Sequence, residues 1–597
     1  MGGSSAEVNG GPSRGRRRLF TLLVALLGLA GVEFGARVVE LVQQRIAPPD
    51  QGETAFAVLA NPVRAFERVV EGGRAEYRRT KAHWLPRRER FAAEKPEKGL
   101  RIFSLGGSAA MGWPHSDATS YAGILEQKLR ALYPQRSVEV VNAAGNTYAS
   151  FRVKVVLDEI LEYEPDLVLI WSGNNEFVED VVYGMVLPPW PWSHSALARI
   201  VHVATGRSRA AKPVIDIANY AEADHTVTRI GYAFGEASQL REDPAQLERV
   251  AQHYRANLES MVRAALDRGV PVALIDVPVN LKDWWPNVSI HRHSLDADER
   301  AAFAAEYRRG ILALEAGDPE EAALAFAAAS HVDGGYAEAH FLRGRALQAL
   351  GRLGDAKDAY WRALEEDAHP FRDLPVFAAT RREVASAHGI PLIDAPGAIA
   401  RLAEDGIPGL DVLVDYVHPT VEANETIAHE VLTRLVADGL LPEVDPEDLS
   451  RVRVRVPADI EEHPRLLLKL FPQFLIMRQH EHIDGLAARI LRATRPSKDD
   501  SPEDVRKKRE LRKLIRDTRR VLADYRALLR AEKLGTLSSE YTPERARWVF
   551  ATYVELIRQL EARELSSEDF ATLVPEFPYG PTADATPSGD PAQPPTP

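Results

Sequence analysis

The chain has 597 residues, of which 45% are hydrophobic and 27% charged, a composition typical of a globular protein with several domains. Its net charge of −12 provides no basic surface for nucleic acid, so nucleic-acid binding is not expected. The sequence contains no cysteine, which excludes disulfides, thiolate nucleophiles and cysteine-bound metal.

The N-terminus has the features of a membrane-targeting segment. Arginines within residues 14–18 precede an apolar run over 19–32, and a helical pattern continues to about Ile46. Positive charge before an apolar run keeps that side in the cytoplasm, so the remainder is expected to be exported. We favour an uncleaved signal anchor in a bacterial-type inner membrane, with the rest of the chain on the periplasmic side. Because the run is short for a full span, secretion after signal cleavage is the alternative.

From Arg101 onwards, short apolar segments alternate with amphipathic ones. The pattern predicts strands at 101–105, 138–141, 166–171, 270–277 and 390–394, and helices at 121–132, 150–162 and 244–267. Regular alternation of strand and helix indicates an α/β fold with a parallel sheet and helices on both faces. Ligands in such sheets bind at the carboxyl ends of the strands.

A duplicated segment interrupts this pattern between about 300 and 369. Four small or aromatic positions recur 34 residues later, namely Gly310, Ala322, Phe326 and Ala329 followed by Gly344, Ala356, Tyr360 and Ala363. This register matches helix-turn-helix tetratricopeptide repeats. Two repeats are marginally stable alone, so we expect them to pack on their neighbours. They form either a groove for a protein partner or a packing spacer.

The sequence after about Pro442 predicts charged helices at 466–477, 484–494, 501–530 and 543–565, which indicates a helical cap or bundle. The tail from Pro578 is rich in proline, alanine and threonine and is predicted to be disordered. The predicted division is a cytoplasmic N-terminus (1–18), a signal anchor (19–46), a connector (47–98), an α/β domain in two parts (99–299 and 371–441), a repeat insertion (300–370), a helical C-terminal region (442–577) and the tail (578–597).

Candidate catalytic residues follow the predicted strands. Ser108 lies in a glycine-framed turn after the first strand, and Asp415 and His418 occur three positions apart near the end of the α/β domain. A serine hydroxyl is a poor nucleophile unless a base accepts its proton and an acid orients that base. Gly145 and Asn175 each follow a further strand. One pocket can therefore collect Ser108, Gly145 and Asn175.

These blocks, in this order, resemble the SGNH or GDSL-type hydrolase superfamily over about 101–296 and 377–440. The resemblance implies a three-layer α/β fold with Ser108 as nucleophile, His418 as base and Asp415 as the orienting acid. It also implies an oxyanion hole formed by the N–H groups of Ser108 and Gly145 and the side chain of Asn175. Glu176 stands where the family has aspartate, and we do not expect this change to remove catalysis.

The resemblance implies a serine esterase that forms an acyl-enzyme on Ser108 and uses no cofactor or metal. His291 and His293 fit a polar loop better than a metal site, because no carboxylate motif at ligand spacing accompanies them. The ester substrate could be an O-acetyl group on envelope carbohydrate, or a lipid. Two alternatives are an O-acyltransferase for a cell-envelope polysaccharide and a non-catalytic envelope scaffold that binds a partner through its repeats.

Overall fold

The computed structural model describes residues 64–80, 90–177 and 244–454, and residues 461–540 except 462, 478 and 499, together with Arg545 and Val549. The predicted cytoplasmic segment and anchor (1–46), the tail (578–597) and most of the last predicted helix (543–565) lie outside these residues. No helix of the described part is long and apolar enough to cross a membrane.

Two sheets occur in the described residues. The strands are β1 (Phe66–Glu71), β2 (Arg74–Arg79), β3 (Arg90–Ala92), β4 (Leu100–Gly106), β5 (Val138–Asn142), β6 (Leu167–Trp171), β7 (Val272–Ile275) and β8 (Leu392–Ile393). Strands β1–β3 form a small antiparallel sheet, and the other five form a parallel sheet in the order β5-β4-β6-β7-β8. The predicted strands thus form one parallel sheet.

Helices surround the sheets and continue beyond them. They are α1 (Ser108–Met111), α2 (Tyr121–Leu132), α3 (Ser150–Ile160), α4 (Pro244–Leu266), α5 (Ala297–Ala316), α6 (Pro319–Val332), α7 (Ala337–Ala349), α8 (Leu353–Glu365), α9 (Pro375–His388), α10 (Ala395–Leu402), α11 (Val421–Ala437), α12 (Pro446–Arg451), α13 (Pro464–Ile476), α14 (His480–Ala493), α15 (Pro502–Leu534) and α16 (Leu537–Glu540).

The parallel sheet separates two hydrophobic cores. On β4, Phe103 and Leu105 belong to the core under α3, α4 and α9, whereas Leu100 and Ile102 belong to the core under α2, α10 and α11. Successive side chains of a strand point to opposite faces, so a strand covered on both sides is largely apolar. The two polar side chains of β4, Arg101 and Ser104, are hydrogen-bonded. The result is a three-layer α/β arrangement with β4 in the interior of the sheet.

Part of the predicted connector folds onto this domain. Phe66 on β1 and Phe91 on β3 are buried, and the Phe91 ring meets the Phe103 ring edge-on with centroids 5.4 Å apart. Tyr163 packs against both phenylalanines of the small sheet. These apolar contacts attach an otherwise polar segment to the α/β domain.

Helices α5–α8 occupy the position of the predicted insertion and form two similar helix pairs. A Cβ atom on Gly310 would lie 2.7 Å from the Phe326 ring, and one on Gly344 would lie 2.7 Å from the Tyr360 ring. The close approach of a glycine to an aromatic ring therefore recurs at the spacing of the sequence repeat. The assignment to the tetratricopeptide class stays a prediction.

The C-terminal helices contact these helix pairs directly. Arg530 on α15 forms a two-pronged ion pair with Glu315 at 2.7 and 2.8 Å. Arg345 on α7 pairs with Glu481 on α14, and the same carboxylate accepts a hydrogen bond from Trp285 Nε1. Contacts within the chain thus occupy part of the surface of these helices, and the partner groove and the packing spacer both stay predictions.

Candidate active site

The turn that carries Ser108 depends on a close approach between two strands. Gly106 ends β4 with φ +156°, and a Cβ atom at this position would lie 2.1 Å from the carbonyl oxygen of Trp171 on β6. Only glycine tolerates this backbone and this contact. Helix α1 begins two residues later, so Ser108 lies at the carboxyl end of the parallel sheet.

A continuous hydrogen-bonded chain joins the three predicted catalytic residues. Ser108 Oγ lies 2.8 Å from His418 Nε2, and His418 Nδ1 lies 2.6 Å from Asp415 Oδ2. The exposed fractions of Ser108, His418 and Asp415 are 7%, 3% and 0%. This is the order nucleophile, base, acid, and all three residues are buried.

The spacing of Asp415 and His418 has a local structural reason. Asp415 Oδ1 accepts hydrogen bonds from the backbone N–H groups of Val417 and His418, both at 2.9 Å. An aspartate that binds the backbone two and three residues ahead makes a tight turn. This turn directs Oδ2 of the same carboxylate towards the imidazole.

Aromatic rings hold the imidazole on two sides. The Trp113 ring lies 4.6 Å from the His418 ring, centroid to centroid, and the Tyr416 ring meets it edge-on at 5.7 Å. Burial raises the pKa of the Tyr416 phenol well above its usual range, and the charge of Asp415 adds to this rise. Tyr416 is therefore a neutral neighbour of the base.

Asn175 also lies at the site. Its side-chain Nδ2 donates a hydrogen bond to the Tyr148 carbonyl oxygen at 3.0 Å. A Cβ atom on Gly107 would lie 2.6 Å from that same nitrogen. The amide is thus held against the turn that carries Ser108.

The structure does not direct the Gly145 N–H into the pocket, in contrast to the prediction. Hydrogen bonding to β4 continues past the end of β5, with Ala143 N–H donating to Ser104 O at 2.8 Å and Gly145 N–H donating to Gly106 O at 2.9 Å. This N–H group is therefore occupied by the protein itself. A Cβ atom on Gly145 would lie 2.5 Å from the Tyr148 ring, so packing explains the glycine.

Glu176, the departure from the family pattern, caps a helix. Its carboxylate accepts hydrogen bonds from Ser150 N–H at 3.1 Å and from Ser150 Oγ at 2.7 Å. Ser172 Oγ donates to the same group at 3.2 Å. Ser150 begins α3, where a negative charge is favourable. Glu176 thus stabilises the loop that carries Asn175.

A buried ion pair between Arg381 and Asp373 is hydrogen-bonded to the loop that carries Asn175. Arg381 donates to both carboxylate oxygens of Asp373, at 2.8 and 2.6 Å, and to the carbonyl of Ser172. The Asp373 N–H donates to Asn174 Oδ1 at 3.0 Å. Burial raises the pKa of Asp373 to about 6, and the Arg381 guanidinium opposes that rise, so both groups are ionised at neutral pH.

Two residues that contact the site were not recognised from the sequence. Arg79 on β2 is buried and donates to the carbonyl oxygens of Asn142 and Ala144, each at 2.8 Å. Gln473 on α13 donates from Nε2 to Asp415 Oδ2 at 2.9 Å. Both lie outside the segments that resemble the hydrolase blocks. The sequence feature that could have drawn attention to Gln473 is a polar amide within the apolar run of α13.

The fold and this hydrogen-bonded chain are those of an α/β protein with a serine-hydrolase type of site. No family model matches the chain, and a search of curated proteins finds no match. Structural similarity is found to an α/β hydrolase enzyme from the metagenome of Lake Arreo, Spain, with 14% identity, a TM-score of 0.27, and coverage of 58% of this chain and 97% of that chain.

An acetylxylan esterase from Geobacillus stearothermophilus is 11% identical, with a TM-score of 0.26, and covers 57% of this chain and 96% of its own. A protein described as lipolytic and of the G-D-S-L family, from Desulfitobacterium hafniense, is 11% identical, with a TM-score of 0.25 and coverage of 57% and 100%. The neighbours are esterases and hydrolases of the GDSL or α/β type. Because these TM-scores are low, function is inferred from the geometry of the chain's own site.

Proposed function

We propose that this protein is an SGNH-type serine esterase that cleaves an ester bond through an acyl-enzyme on Ser108. The observation that supports this proposal most directly is the chain from Ser108 Oγ to His418 Nε2 and from His418 Nδ1 to Asp415, with distances of 2.8 and 2.6 Å. The three residues come from two parts of the sequence about 310 positions apart. Their convergence favours an enzyme over a non-catalytic scaffold.

In the proposed reaction, Ser108 Oγ attacks the ester carbonyl carbon while His418 Nε2 takes the hydroxyl proton. The tetrahedral intermediate collapses, the bond to the alkoxide breaks, and His418 returns the proton to the leaving oxygen. A water molecule then attacks the acyl-enzyme with His418 again as base, which releases the acid and restores the serine. Asp415 keeps its charge throughout and stabilises the imidazolium.

Two groups are proposed as donors to the oxyanion. The Ser108 N–H lies in the first turn of α1, where N–H groups have no acceptor within the helix. Asn175 Nδ2 has a second hydrogen besides the one that Tyr148 O accepts. Loss of one such donor typically lowers turnover by about 10²- to 10³-fold. Because the Gly145 N–H is already bonded and leaves Asn175 as one of two proposed donors, we expect Asn175→Ala to lower turnover by about 10²- to 10³-fold.

We propose an O-acyl group on envelope carbohydrate or lipid as the substrate, given the expected export of the chain. The near-complete burial of Ser108 and His418, at 7% and 3% exposure, favours a second candidate in which a sugar hydroxyl replaces water. A site that excludes water slows hydrolysis of the acyl-enzyme and leaves it for a bound acceptor. This candidate is an O-acyltransferase for a cell-envelope polysaccharide.

The test is covalent labelling of the full chain by a fluorophosphonate, which reacts with an activated serine. Labelling should disappear in Ser108→Ala and be strongly reduced in His418→Ala. Ser116→Ala is the matched control, because the Ser116 hydroxyl is hydrogen-bonded to Thr119 and is not a member of the chain from Ser108 to Asp415. A folded wild-type protein that is neither labelled nor active on short acyl esters would refute the proposal. If the protein is labelled, product analysis with acetylated sugars distinguishes an esterase, which releases free acetate, from an acyltransferase, which moves the acetyl group to another sugar.

A further inference from the structure

Helix α13 brings one amide into an apolar interior. Leu466, Leu470 and Phe474 of this helix belong to a third hydrophobic core, which also contains Trp284 and residues of α14 and α15. Gln473 lies between these side chains with an exposed fraction of 4%. A buried amide needs hydrogen-bond partners, because burial without them costs free energy.

One partner of this amide is the carboxylate at the end of the proposed catalytic chain, and the Tyr416 hydroxyl also lies within reach of the amide. Within the described part of the protein, four donors reach Asp415. The N–H groups of Val417 and His418 bind Oδ1, and His418 Nδ1 and Gln473 Nε2 bind Oδ2. Three of these donors belong to the turn that Asp415 itself forms. Gln473 is the one that comes from the C-terminal region.

Contacts on both sides of Gln473 hold α13 against the loops of the site. The Phe474 ring meets the Trp284 ring edge-on, with centroids 5.0 Å apart. Lys469 Nζ donates to the Pro114 carbonyl at 3.4 Å, next to the tryptophan that packs on His418. Val414, which precedes Asp415, lies in the same core as α13. The position of the helix is thus coupled to that of the catalytic loop.

We propose that Gln473 is a positioning residue for the Asp415 carboxylate, so that the C-terminal helical region completes the catalytic centre. This inference rests on the proposed function. Asp415 has no exposed surface, so water does not replace a missing donor. A second donor on Oδ2 satisfies its charge and keeps the carboxylate plane aligned with His418 Nδ1. Gln473 acts through Asp415 and does not touch the reacting atoms.

The test compares Gln473→Met with Gln479→Met in the full chain. Gln479 is equally buried and bonds to Trp285 instead of Asp415, so it controls for the loss of a buried amide. For Gln473→Met we expect kcat and the fluorophosphonate labelling rate to fall about 10- to 100-fold with KM within about twofold. Gln479→Met should keep the wild-type rates. Equal losses in the two variants, or no loss in Gln473→Met, would overturn the inference.

A second readout needs no substrate. A proton held between an imidazole nitrogen and a carboxylate resonates far downfield, and this signal should move in Gln473→Met and stay in place in Gln479→Met. An unchanged signal in Gln473→Met would contradict the positioning role even if the wild-type chain proved inactive. Gln473→Asn keeps the amide but shortens its reach, so it tests the same contact if the methionine variant does not fold.

Discussion

The hairpin residue Arg79 offers a quantitative test of how the small sheet supports the site. Its two guanidinium nitrogens bind the carbonyl oxygens of Asn142 and Ala144, which flank the turn after β5. Hydrogen bonds from a charged donor contribute about 1.5–3 kcal/mol each, and two bonds from one group are not additive. We therefore expect Arg79→Met to lower the free energy of unfolding of the α/β domain by about 2–4 kcal/mol.

Thermal unfolding measures this effect, with Arg78→Met as the matched control. Arg78 is the preceding residue, and its side chain is 38% exposed in ion pairs with Glu67 and Glu71. Exposed pairs of this kind contribute about 0–1 kcal/mol. A domain of this size shifts its melting temperature by about 2–4 °C per kcal/mol, so Arg79→Met should melt at least about 4 °C lower. Equal melting temperatures for the two variants would refute the role given to Arg79.

Three further perturbations test other parts of the molecule. Gly344→Ala should destabilise the pair of helices α7 and α8 by about 1–3 kcal/mol, because its Cβ atom would lie 2.7 Å from the Tyr360 ring. The control is Gly354→Ala, whose Cβ atom has no atom within 4 Å and which should not lower the melting temperature. Glu176→Gln should cost about 1 kcal/mol through the weakened cap of α3, and a loss of labelling above about tenfold would contradict this structural role. Burial lowers the pKa of His369 from 6.5 to about 4, so the unfolded chain binds more protons than the folded one and stability decreases as the pH is lowered from 6.5 to 4. His369→Gln should show a smaller decrease in melting temperature between pH 6.5 and 4, and an unchanged decrease would contradict this burial effect.

Local pattern was sufficient for several features. The strands at the positions of β6 and β7 read as continuous apolar runs because helices cover both faces of the sheet. The Asp415–His418 spacing reflects a turn made by Asp415 itself. The 34-residue register reflects a glycine–aromatic contact inside each helix pair. Each of these features depends on neighbours close in sequence.

The Gly145 N–H shows where local reasoning ends. Glycine in a loop after a strand fits both an oxyanion donor and a position of close packing. The pairing of β5 with β4 sends the N–H to Gly106 O, and that pairing joins segments about 40 residues apart. A residue's backbone partner in a parallel sheet depends on which strands become neighbours, and neither segment specifies this alone.

The order of the sequence blocks was enough to predict a parallel α/β fold and the residues Ser108, Asp415 and His418, because the Ser108 block follows an apolar strand and Asp415 and His418 form a short motif of their own. Folding of the whole chain brought Arg79 and Gln473 to that site from opposite ends of the described residues. Their roles arise from contacts with main-chain carbonyls and with a buried carboxylate. Such contacts exist only once distant segments pack together, which is why an arginine in a polar hairpin gave no functional signal in the sequence and an amide in an apolar helix indicated only that Gln473 is buried.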